Sequence, residues 1–168
     1  MLKKSVIIIC VFFLCGVNVI AEENTVTLST GISLTEAVPA DLFGTWRVIS
    51  KLVATEYPKN FKLSGVDLWN LSKTGDVINL CNPINGAEAS VKVEYVKNNT
   101  IRFTKEGNYD KQILTDTVEI TLNGNKFTGK NYLSLRTYSP ADNSLQNEKS
   151  AIYSLRGDKI SGTSILGN

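Results

Sequence analysis

From residue 43 to residue 165 the chain is cut at short intervals by turn signals, and this punctuation restricts the fold more than any other feature. Asn123-Gly124-Asn125 separates two long runs, 112–122 and 126–138, with glycine and asparagine where a tight hairpin needs positive φ. Lys73-Thr74-Gly75-Asp76 does the same between 66–72 and 77–81. Lys97-Asn98-Asn99 joins 90–96 to 100–104, asparagine tolerating the left-handed conformation. A first run, 45–54, is rich in Val, Ile and Trp, and 55–65 is a connection containing Pro58. After a polar loop from 139, Gly157-Asp158 reads as the turn of a last hairpin between 149–156 and 159–165. No stretch of this region has the apolar period of an amphipathic helix.

Alternation within the runs says what the sheet does. Lys92 and Glu94 alternate with Val91, Val93 and Tyr95, and Glu119 and Thr121 with Val118, Ile120 and Leu122. One face is wet and the other dry, as in a sheet that closes on a core or cavity. The expectation is an all-β domain, a single antiparallel up-and-down β-barrel of 8–10 strands. A two-sheet sandwich is the alternative, but sandwiches use long crossovers where this chain offers hairpins.

The start of the chain reads as a targeting segment. Met1 to Lys4 is short and basic, 5–20 is mostly apolar, and Val19-Ile20-Ala21 offers a cleavage site. The run is shorter than the roughly 20 apolar residues of a spanning helix and contains Asn18. Ile9 and Leu14 stand where a lipid anchor at Cys10 or Cys15 would want a small residue. The expected organisation is a signal peptide at 1–21, a leader and closing turn at 22–41, and the barrel at 42–168. The destination is extracellular or periplasmic, with no membrane insertion after cleavage.

Export changes the charge and cysteine counts. Of 18 Lys+Arg and 16 Asp+Glu, Lys3 and Lys4 leave with the signal, so the remainder is formally neutral. That excludes the clustered basic excess of a nucleic-acid binder. Cys81 is the one cysteine beyond the signal, so no internal disulfide forms and the domain lives on its core. In Val77-Ile78-Asn79-Leu80-Cys81 it reads as a small apolar strand residue, or else as a thiol joining two molecules.

Gly44 and Trp46 share a strand face. On a barrel interior, Trp46 fills the lumen floor and Gly44 lets the incoming turn pass beneath it. Here Leu42-Phe43-Gly44-Thr45-Trp46 resembles the Gly-x-Trp start of the first strand in lipocalins and intracellular fatty-acid-binding proteins, together the calycins. The resemblance implies a short turn closing one end, which 39–42 supplies. It also implies a basic side chain from the last strand over the indole; Arg156, in Leu155-Arg156-Gly157, is the residue expected there. The middle motif of lipocalins has only a faint echo in Leu114-Thr115-Asp116-Thr117, and the paired cysteines of animal lipocalins are missing.

The chemistry that the sequence lacks narrows the function. There is no histidine, which removes Ser-His-Asp and Cys-His catalysis and the usual zinc and haem ligands. Asp110, Asp116 and Glu119 form the densest acidic group and read as solvated charge or, less simply, a calcium site. No catalytic residue, metal or cofactor is expected. From alternation, Trp69, Leu71, Tyr95, Phe103, Leu133 and Leu135 either line a ligand cavity or fill a solid core. Arg136 is in phase with Tyr132 and Tyr138; turned inward it would meet a ligand carboxylate, as the calycin resemblance implies, and turned outward it is a solvated charge. The first reading is therefore an exported binding protein for a small apolar or amphipathic ligand of lipid or fatty-acid type. The rival is a solid barrel that acts through its surface as an envelope adaptor or inhibitor, and the third is an enzyme built on carboxylates.

Overall fold

The computed structural model describes residues 33–162; the expected signal peptide and the first part of the leader lie outside the described residues. Eight antiparallel strands follow one another around a closed barrel in sequence order, β1 pairing with β8 to complete the cylinder. They are β1 (Gly44–Thr55), β2 (Ser64–Thr74), β3 (Val77–Cys81), β4 (Glu88–Lys97), β5 (Thr100–Tyr109), β6 (Gln112–Asn123), β7 (Lys126–Tyr138) and β8 (Leu145–Ser161). A 3-10 turn, Ala40–Leu42, leads into β1. The sandwich alternative is excluded by closure.

The tight turns fall where the sequence put them. Gly75, Asn98 and Gly124 all have positive φ, and these three turns gather at one end of the barrel with the 3-10 turn. At that end the floor is solid. Trp46, Phe103, Phe127, Leu42, Leu71, Ile78, Ile101 and Ile120 are all under 2 % exposed. The Trp46 indole Nε1 donates to the Leu42 carbonyl at 2.8 Å, and its ring packs on Phe127 at 5.1 Å between centroids. Residues 33–38 strap the same end: Thr35 Oγ1 donates to the Asp76 carbonyl, and Val38 joins the core.

Gly44 answers a steric demand. Its φ is +123°, and a Cβ there would lie 2.3 Å from the Ser161 carbonyl oxygen where β8 ends. The glycine lets both ends of the described barrel meet under the indole.

Two expectations are corrected. Residues 149–161 do not form a hairpin; β8 is one continuous strand that pairs with β7 along one edge and β1 along the other. Gly157 makes room, since a Cβ there would fall 2.1 Å from the Phe127 ring. And the cation over Trp46 is Lys159, its Nζ 5.3 Å from the ring centroid. Lys159 is the cross-strand partner of Trp46, whereas Arg156 opposes Ile49 and is exposed on the other face.

The outer wall is polar. Arg47, Lys92, Glu94, Arg102, Glu119, Lys130 and Arg156 point away from the lumen, opposite in sense to the apolar band of a membrane-spanning barrel.

Candidate functional site at the barrel mouth

The other end is only partly closed. Over β7 and β8 the β1–β2 connection folds inward: Phe61 packs against the core, and the Tyr153 hydroxyl donates to the Lys62 carbonyl at 2.9 Å. Burial raises the Tyr153 phenol above its ordinary pKa. Lys149 Nζ stands 5.8 Å from the Tyr57 ring across the same half of the mouth.

The β2–β6 half remains open. The β4–β5 ladder stops at Lys92–Thr104, while β5 continues paired to β6 as far as Tyr109–Gln112. Among the described residues no ladder pair joins the two strands beyond that rung, so the wall parts there. A cleft of about 250 Å³ occupies this place. Trp69, Leu80 and Leu114 give it apolar walls, and Asp67, Lys105 and Asp116 bring charge into it. The Asn82 side-chain amide donates to Asp67, tying the β3–β4 loop to β2 across the rim. Tyr109, 62 % exposed, stands at the lip.

The chemical centre is a pair of opposed residues. Lys105 on β5 and Asp116 on β6 are cross-strand partners on the inner face, with Nζ and Oδ2 3.1 Å apart. Asp116 is 8 % exposed. Its second oxygen, Oδ1, is buried without a hydrogen-bond partner, and so is the Oδ1 of Asn131, one step deeper on β7 opposite Val118. An unmatched buried acceptor costs about 1–3 kcal/mol. Two neighbouring ones on the lumen face are an invitation to a hydrogen-bond donor.

The expected ligand residues divide among three places. Trp69 lines the cleft. Leu71 and Phe103 belong to the packed floor, at 1 % exposure each. Leu133 and Leu135 face the lumen from β7, half-buried, opposite Ala151 and Lys149. Tyr95 does not face inward. A bulge between Val93 and Tyr95 inserts one residue, so Val96 takes the inner position opposite Ile101, and Tyr95 lies outside beside Arg102. Burial against that outer cluster, and then the Glu119 carboxylate, raise its phenol pKa. Arg136 also points outward, donating to Thr115 Oγ1 at 3.1 Å and lying 3.6 Å from Glu106. It is not a carboxylate clamp in the lumen.

Sequence reasoning passed over Lys105 and took Asp116 for solvated charge or part of a calcium site, although the phase of both carried the signal. Lys105 follows Ile101 and Phe103 at a spacing of two, and Asp116 precedes Val118, Ile120 and Leu122 likewise. Each is a charge on an otherwise apolar face. Asp116 and Glu119 lie on opposite sides of β6, so the acidic group does not converge on one ion. Cys81 is buried on β3, its thiol pushed up by burial and then by Glu88, which leaves little thiolate for reaction.

Comparison with family models, curated proteins and solved structures returns no match.

Proposed function

We propose that this protein is an exported carrier that holds one small amphipathic molecule in the mouth cleft. The observation that carries the reading is the cleft itself, a concavity with indole and leucine walls and a lining carboxylate, Asp116, one oxygen of which has no hydrogen-bond partner. Ligand sites combine apolar walls with placed polar groups, and this cleft has both, with a large polar share. At roughly 30 Å³ per water, the volume equals about eight waters, which suits a ligand of similar heavy-atom count rather than a long acyl chain. The solid floor supports the same limit on size.

The calycin resemblance belongs to this proposal. In its favour are the 3-10 turn running into Gly44-Thr45-Trp46, the closed eight-strand order, and a last-strand cation, Lys159, over the indole. The basic and apolar character of residues 1–21 supports export. A chain without histidine and with a buried thiol supports binding rather than catalysis.

The adaptor reading keeps one specific observation. Val53, Leu63, Val66, Ile84, Tyr109 and Leu145 are large, exposed and grouped around the mouth, an apolar rim of the kind that meets a partner. Native mass spectrometry of protein from its natural host separates the two. A carrier arrives with a reproducible small-molecule adduct that is lost on denaturation. Bare protein by mass, with an intact partner bound through the rim, would overturn the carrier reading.

A further inference from the structure

Resting on that carrier reading, we propose that the ligand's polar end is a hydrogen-bond donor bearing positive charge, an ammonium or related amine, and not the carboxylate of a fatty acid. Three observations converge on this. The unmatched atoms are both oxygens, Asp116 Oδ1 and Asn131 Oδ1, each on a residue more than nine-tenths buried and on the lumen face. The charged side chains that face the cleft are two acids, Asp67 and Asp116, against one base, Lys105. And Arg136, the residue that could have received a carboxylate, is spent outside on Glu106 and Thr115.

Lys105 occupies Asp116 Oδ2 and leaves Oδ1 to the visitor. An ionised carboxylate accepts up to about four hydrogen bonds, so one cation on each oxygen is within its capacity. The Asp67 carboxylate at the rim takes neutral donors, the Asn82 side-chain amide and the Leu68 backbone amide. An arriving cation meets that carboxylate first and the Asp116 oxygen beyond it. A carboxylate arriving by the same path meets the Asp67 charge first, and the Lys105 ammonium beyond it is already ion-paired with Asp116. Trp69 on the wall supplies both an apolar contact and a π face toward a cation.

Octylamine, octanol and octanoate share one short tail and differ at the head. Titration of each into the full chain at about pH 7, followed by tryptophan emission and by calorimetry, tests the head-group preference directly. Octylamine is expected to bind tightest, about tenfold or more ahead of octanoate, with octanol between them. Asp116→Asn is expected to abolish the preference for the amine over the alcohol while octanol binding persists. Asp67→Asn, at an exposed site that does not threaten folding, is expected to weaken the amine selectively and by less. Octanoate binding as tightly as octylamine would sink the amine proposal and leave the carrier standing. No binding of any of the three would sink the carrier reading itself.

Discussion

At the scale of single residues, the seal of the barrel floor turns on a lysine the sequence hides behind an arginine. Lys159 Nζ lies over the Trp46 ring and also donates to the Asp41 carbonyl at 2.8 Å, so it joins β8 to the 3-10 turn across the indole. A cation–π contact contributes about 0.5–2 kcal/mol, and the hydrogen bond adds about 1 kcal/mol. Lys159→Ala is therefore expected to lower stability by about 1–2 kcal/mol and to shift tryptophan emission. Arg156→Ala, on an exposed outer position, is expected to stay within about 0.5 kcal/mol of the parent. Urea denaturation of the two variants side by side checks this. Equal losses would mean that the lysine seals nothing. The calycin resemblance implied a cation on the last strand; the choice between Arg156 and Lys159 depended on the register of β8 against β1, which local sequence does not contain.

At the scale of strands, the same dependence explains the misread end of the chain. Gly157-Asp158 has the chemistry of a turn, yet Gly157 sits inside β8 because the Phe127 ring lies against its backbone. Phe127 also stacks with Trp69, centroids 6.0 Å apart, and so couples the floor to the wall of the cleft. Gly157→Ala places a methyl in that contact, and overpacking of this kind costs about 1–3 kcal/mol. The expected signature is lost stability together with altered emission from both tryptophans. A variant as stable as the parent, with an unchanged spectrum, would return Gly157 to the role of a simple turn residue. Turns at Gly75, Asn98 and Gly124 were legible because their cause is local, a positive φ that glycine and asparagine supply. Tyr95 was not, because one bulged residue reverses every later side chain. Asp116 was half-legible: its phase put it inside, and only the expectation that carboxylates face water put it outside.

At the scale of the whole molecule, the barrel has one seam that is secured from outside. Where β4 and β5 part, Glu94 at the bulge takes Thr104 Oγ1 at 2.7 Å and Arg102 Nε at 2.8 Å, both from β5. Arg102 reaches on to Glu119 of β6 and lies 5.8 Å from the Tyr132 ring of β7. Four strands thus share one exposed network at the last rung before the cleft opens. The Thr104 hydroxyl first, and then Arg102, hold the Glu94 carboxyl below its ordinary pKa. A carboxyl depressed by folding contributes stability that is complete above its unfolded value, about 4.3, and that is lost as pH falls through the lower folded value. Solvent reaches this cluster, which limits the size of the effect but not its sign. Glu94→Gln is therefore expected to be less stable than the parent at about pH 6, with the gap narrowing steadily toward about pH 3. Denaturation curves across that range test it, and a gap that stays constant would show that charge at Glu94 does not hold the seam. A gap that closes in acid identifies the β4–β5 parting as the place where protonation loosens the wall beside the ligand cleft.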